Sequence, residues 1–179
     1  FVVLATAASS AVGLAALLVL DALVTELTGG AFVALIGALL VATGVLQRFA
    51  NERSLATRET PNALDALLVG GLQGLAILPG VSRSGTTTSA LLLRGHDGPA
   101  SFRLSFLLSI PAALIGGTVG VVRAGGVGVA PTAGLVALVV AAVVGYATID
   151  LLMRIVRRVA VWLLCVGLGV LAIVGGLLV

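Results

Sequence analysis

Apolar residues fall in long runs separated by short polar breaks. Phe1–Leu20 is apolar and closes near Asp21 and Glu26, and Ala31–Leu46 forms a second run, entered through Gly29-Gly30. Gln47–Asn62 is the longest polar stretch and is expected to be a water-exposed loop. Ala63–Leu78 ends at Pro79, and a short run, Thr86–Leu93, ends at Arg94. Ser101–Val122, which contains Pro111, Thr132–Met153 and Ala160–Val179 follow, joined by Gly95–Ala100, the glycine-rich Arg123–Pro131 and the basic Arg154–Val159. A bilayer core about 30 Å thick needs roughly 20 apolar residues per helical crossing. The pattern predicts an all-α integral membrane protein, a multi-span helical bundle. Residues 1–179 read as a single transmembrane domain, with spans at about 1–20, 31–46, 101–122, 132–153 and 160–179.

Residues 63–93 do not fit one crossing. The two arms would be about 24 and 12 Å long as helix, so the second is too short. The arms are read as a re-entrant pair turning back at Pro79-Gly80. Arginine placement favours that reading. If the segment turns back, Arg48, Arg53, Arg58, Arg94, Arg103, Arg154, Arg157 and Arg158 share one side and only Arg123 lies opposite. A single crossing would divide these residues four against five and leave no bias. Positive charge concentrates in cytoplasmic loops, so the tip at Pro79–Gly85 is expected to face outward. Arg103 then reads as an anchor at the end of a span.

Composition supports the membrane setting. The chain is 60% hydrophobic and 9% charged, against about 25% charged in soluble domains. It has 24 glycines, and small residues allow close helix packing in lipid. All ten basic residues are Arg, the net charge is only +3 and there is no basic run with interleaved aromatics, so nucleic acid is not an expected partner. The lone Cys165 reads as buried packing. His96, beside Asp97, lacks the three or four ligands of a usual metal site, and no metal-ligating residues are assigned. Asp21, Glu26, Asp65 and Asp150 read as span-end residues. The chain begins at Phe1 inside an apolar run, and the natural protein is expected to start earlier.

The chemistry is concentrated at Pro79-Gly80-Val81-Ser82-Arg83-Ser84-Gly85. Non-helical backbone at membrane depth survives only inside protein or beside a water-filled cavity. Pro79 breaks the incoming helix, and Gly80 and Gly85 permit unusual backbone angles. From Ser82 to Ser89 every residue except Gly85 is hydroxylated or cationic. An intramembrane Arg marks a functional site by default, and its fork of donors suits phosphate oxygens. The new helix after the loop offers N-terminal amides to an anion. The competing reading has Arg83 paired with a carboxylate and the hydroxyls capping helices. A P-loop needs a Gly-Lys-Ser/Thr string, and the chain has no Lys. Gly116-Gly117 and Gly125-Gly126 read as packing and turn glycines.

Gln73-Gly74-Leu75-Ala76-Ile77-Leu78-Pro79-Gly80-Val81-Ser82-Arg83-Ser84-Gly85-Thr86-Thr87 closely resembles the second signature of the undecaprenyl-diphosphate phosphatases, the bacitracin-resistance family. Ala100–Pro111 resembles that family as well. The resemblance implies removal of the terminal phosphate of a C55 polyprenyl diphosphate, giving the lipid monophosphate that carries cell-wall glycans. It also implies inverted repeats, each with a re-entrant pair, an outward-facing pocket and a divalent cation (Mg or Ca). On the matching positions Ser82, Arg83 and Thr87 would be catalytic, while Gly80, Ser84, Gly85, Thr86 and Gln73 would bind substrate. The family's acidic first signature, Glu-Gly-x-x-Glu-Phe-x-Pro-x-Ser-Ser-x-Gly-His, occurs nowhere in these 179 residues. Gln73-Gly74 resembles its counterpart in the second repeat.

The expected function is therefore phosphoanhydride hydrolysis at the membrane surface, with Arg83 and the loop amides offsetting charge in transfer. Ser82 is open as nucleophile or binding donor. The cation ligands and general base are expected outside these residues, and the chain alone is expected to be inactive. The partners would be polyprenyl diphosphate and membrane lipids, with assembly into a homo-oligomer left open. Two alternatives are a secondary transporter with an anion site at a broken helix and a non-catalytic homologue that binds lipid diphosphate.

Overall fold

The computed structural model describes residues 1–26, 29–53, 58–126, 128, 131–158 and 160–178, with the side chains of 25, 26, 131 and 149–158 left out. Thus the side chains of Glu26, Asp150, Arg154, Arg157 and Arg158 lie outside the described set. Among the described residues every regular element is a helix: α1 (Val2–Glu26), α2 (Gly30–Glu52), α3 (Ala63–Leu75), α4 (Arg83–Leu93), α5 (Gly98–Arg123), α6 (Pro131–Arg158) and α7 (Val161–Leu178). Four of them, α1, α2, α5 and α7, are long and apolar enough to cross a membrane. The chain divides into two compact units, 1–113 with 162–179, and 114–161. The second unit holds the end of α5 and α6, and none of its described side chains is buried. Apolar side chains facing outward along a helix suit a lipid surrounding.

Several expected boundaries move: α1 runs past Leu20 to Glu26, and the basic stretch expected as a turn after Met153 is helical as far as Arg158. The polar stretch expected to start at Gln47 is helical as far as Glu52. Arg48 and Glu52 pair one turn apart at 2.9 Å, and Arg48 also lies over the Trp162 ring, 4.9 Å from its centroid. Those contacts keep a polar segment helical past the apolar run, so α2 has 23 residues rather than 16.

Small residues set the packing of the first unit. A methyl group on Gly37 would lie 2.5 Å from the Gly169 carbonyl oxygen, and one on Gly44 would lie 2.8 Å from that of Trp162. Gly30 meets Gly176 in the same way, so the contacts recur every seven residues along an antiparallel α2–α7 pair. α1 and α3 run parallel: Gly70 abuts the Ala5 carbonyl, Gly74 that of Ser9, and Gly13 touches Ile77. Without side chains in the seam, the backbones approach closely enough for dispersion to hold them.

α3 and α4 form an antiparallel hairpin. Asn62 caps α3: its side chain accepts from the Asp65 N–H and the Asp65 carboxylate accepts from the Asn62 N–H, both at 2.9 Å. This reciprocal box satisfies two donors at the helix start. The open end of the hairpin is tied where Arg58 N–H donates to the Gly95 carbonyl at 2.9 Å and Asp65 meets Arg94 and His96. Just before the tip, Ile77 lies against Gly13, about halfway along α1, roughly 16 Å from its start at 1.5 Å per residue.

Candidate anion site at the hairpin tip

The tip is built by local turn chemistry. α3 unwinds after Leu75, where Ala76, Ile77 and Leu78 N–H groups bond three residues back. The Val81 N–H then bonds to the Leu78 carbonyl at 3.2 Å, with Pro79 and Gly80 between them and Gly80 at φ +93°. Proline followed by a glycine of positive φ is the signature of a type II turn. Gly80 also presses on α2: a methyl group there would collide with the Ile36 carbonyl and lie 3.1 Å from Leu39 Cβ.

The turn delivers Ser82 in an extended conformation as the N-cap of α4. Its hydroxyl oxygen accepts the Gly85 N–H at 3.3 Å, and its carbonyl accepts the Thr86 N–H at 2.9 Å. The first amides of a helix have no intrahelical acceptor, so the Arg83 and Ser84 N–H groups remain for an anion. Arg83 is half-buried and Ser84 exposed. No described carboxylate pairs with Arg83, so its expected alternative partner is absent among the described residues. A helix N-terminus and a guanidinium at one turn together favour a phosphate.

The other residues expected at the site divide. Gly80 and Gly85 shape the turn and the first helical turn. Thr86 Oγ1 donates to the Ser82 or Arg83 carbonyl, each at 3.0 Å, and its side chain borders a cavity of about 180 Å³. Apart from Thr43 the rest of its lining is apolar, with residues such as Leu39 and Leu46 of α2, Leu72 and Leu75 of α3, and Val81 of the turn. Thr87 is fully buried. Its hydroxyl sits 2.8 Å from the Arg83 carbonyl and 2.6 Å from Ser105 Oγ on α5. Gln73 is also buried, and its Nε2 donates to Ser9 Oγ and the Leu108 carbonyl, each at 3.3 Å. The structure therefore gathers Gly80, Ser82, Arg83, Ser84, Gly85 and Thr86 about one helix start, and engages Thr87 and Gln73 with neighbouring helices.

Two polar groups were missed in the sequence. Gln47, assigned to the loop, lies on α2 against Gly85. Asp65, read as a span-end residue, is fully buried and holds both Arg94 and His96, the latter with Nε2 3.2 Å from Oδ2. The Asn62-x-x-Asp65 capping pattern was the available signal for the latter. Cys165 is buried, as expected.

A divalent cation does not fit this loop. Its donors are hydroxyls and amides beside a fixed positive charge, and among the described residues no cluster of three His, Cys, Asp or Glu could hold a metal.

The family model described as bacitracin resistance protein BacA matches residues 1–174. The chain belongs to the BacA family. Among BacA relatives, the protein named undecaprenyl-diphosphatase of Haloarcula marismortui is 61% identical over 179 residues, all of this chain and 66% of that protein. The one of the same name from Methanococcoides burtonii is 42% identical over 173 residues, 97% of this chain and 64% of that protein. A third, from Desulfatibacillum aliphaticivorans, is 40% identical over 134 residues, 74% of this chain and 47% of that protein. This BacA chain thus spans a little under two thirds of the length of the first two relatives.

Proposed function

We propose that this chain forms the phosphate-holding part of a membrane phosphatase that hydrolyses a polyprenyl diphosphate, undecaprenyl diphosphate in the relatives' name, to the monophosphate and inorganic phosphate. The observation that carries it is Arg83, without a described carboxylate partner, at the capped start of α4, between Val81 and Thr86, which line a mostly apolar slot. A charged head and a hydrocarbon tail need those two surfaces side by side. The relatives' names favour hydrolysis over transport.

In this reading the guanidinium and the Arg83 and Ser84 N–H groups hold the diphosphate. They offset charge that builds on the transferring phosphoryl group. Water attacks the terminal phosphorus, the anhydride P–O bond breaks and the lipid monophosphate leaves. The Ser82 oxygen already accepts the Gly85 N–H, so its own proton is left to donate to a phosphate oxygen; this favours a binding role. Gly80, Gly85 and Thr86 shape the turn, while Thr87 and Gln73 act through packing. The general base, and the carboxylates a divalent cation would need, come from outside this loop.

The hairpin is re-entrant in this reading. Both ends of α3–α4 lie at the arginine-rich side and its tip stops partway through the bilayer, facing outward. The protein would sit in the cell membrane as a multi-pass chain.

The test is phosphate release from C55 diphosphate by the purified full-length protein that contains this chain, alongside solute uptake into vesicles. Release without uptake is expected. Uptake without release would replace the reading with the transporter, and diphosphate binding with neither would favour a non-catalytic homologue.

A further inference from the structure

Gln47 is a buried carboxamide within a membrane-length helix, and nothing in the mechanism above uses it. It is 9% exposed. A polar side chain in such a place needs partners, because an amide left unsatisfied away from water is costly. One contact is the Cys165 thiol on α7. The other is steric and lies at the phosphate loop. A methyl group on Gly85 would fall on Gln47 Nε2, 3.1 Å from Gln47 Cδ and 3.0 Å from Ser82 Oγ. The carboxamide therefore fills the space beside Gly85 where any other residue would place its Cβ, on the wall of α4 that the Ser82 hydroxyl shares.

We propose that Gln47 is a positioning residue for the anion site: its carboxamide sets the lateral position of the first turn of α4, and so where Arg83 and the free amides meet the diphosphate. The carboxamide takes the Cβ space at Gly85, whose own φ is not positive. This inference rests on the reading of Ser82–Gly85 as the diphosphate site. The chemistry makes Gln47 a buttress and not a reacting group. It touches the helix that carries the donors, and small misplacements of such donors are expensive in rate.

The experiment is a size exchange in the full-length protein. Gly85→Ala should lower kcat about a hundredfold, since a displacement near 1 Å costs that much. Gln47→Ala alone should cost about tenfold by loosening the same turn. The double variant Gln47→Ala, Gly85→Ala should recover to within a few-fold of Gln47→Ala, because the new methyl enters the vacated space. Gln47→Leu, which keeps volume but removes the amide, should fold and hold kcat well above that of Gln47→Ala, with KM less changed. A double variant no better than Gly85→Ala overturns the proposal, as does wild-type kcat in Gln47→Ala. Thermal protection by inorganic diphosphate is measured in parallel on all variants and should follow the same exchange. That arm separates the two readings. If wild type releases no phosphate yet diphosphate protection shows the exchange, the enzymatic reading fails and Gln47 stands; protection unaffected by the exchange removes Gln47.

Discussion

Asp65 and Arg94 meet across the open end of the α3–α4 hairpin, one from the first turn of the incoming arm and one from the end of the returning arm. His96 adds a second contact to the same carboxylate, and Arg58 stands 3.8 Å away on the preceding loop. The ends of two helices that must lie side by side are held by one buried carboxylate, and the short tip between them needs no further tether there.

Removing that carboxylate should therefore destabilise the fold. Asp65→Ala leaves His96 buried and Arg94 mostly buried without their partner and also removes half of the Asn62 box. Breaking a buried pair from one side costs about 3–5 kcal/mol, and Arg94, with a quarter of its side chain exposed, places the expectation near the lower end. Asp65→Asn should be milder, since it keeps an acceptor. Thermal unfolding in detergent reads both, and equal stability of Asp65→Ala and wild type would remove the latch.

Arg83→Ala should lower phosphate release by about 10²–10³-fold, the usual cost of deleting a donor aimed at developing charge. Arg83→Lys should recover only part of this, because an ammonium lacks the planar fork. Melting temperature should stay near wild type in both. Near-normal turnover in Arg83→Ala would move the site elsewhere.

Thr87 should behave differently from Arg83. Thr87→Val strips the hydroxyl and leaves buried Ser105 short of a partner, a loss of about 1–3 kcal/mol. Thr87→Ser should restore stability. The folded fraction of Thr87→Val should keep kcat within a few-fold of wild type; a hundredfold fall there would bring Thr87 back among the reacting groups.

A membrane-impermeant thiol reagent applied from outside should label a cysteine placed at Gly126 before one placed at Glu59, with Cys165 first replaced by Ser. The reverse order would invert the topology read from the arginine distribution.

Much of this was legible in the residues. The turn at Pro79-Gly80 and the Ser82 cap follow from local chemistry, and the structure has both. The helical class follows from apolar run lengths. The end of α2 did not follow, because Arg48 stacks on Trp162 from a helix more than a hundred residues later, although its local pairing with Glu52 was a readable hint. Thr87 and Ser105 likewise meet only once α5 packs on α4. Gln47 and His96 looked like loop residues for the same reason. A residue's burial depends on partners distant in sequence, and a hydropathy run cannot name them.

The glycine seam between α2 and α7 bears on the order of assembly. α2 leaves the ribosome before α7, with four helices made between them. Throughout that interval its glycine edge is uncovered, and the helix that carries Gln47 lacks the neighbour that holds it in place. The hairpin carries its own cap and its Asp65 tie, whereas the glycine edge of α2 is covered by α7. In that order of synthesis, the α2 wall beside the proposed anion site gains its α7 neighbour last.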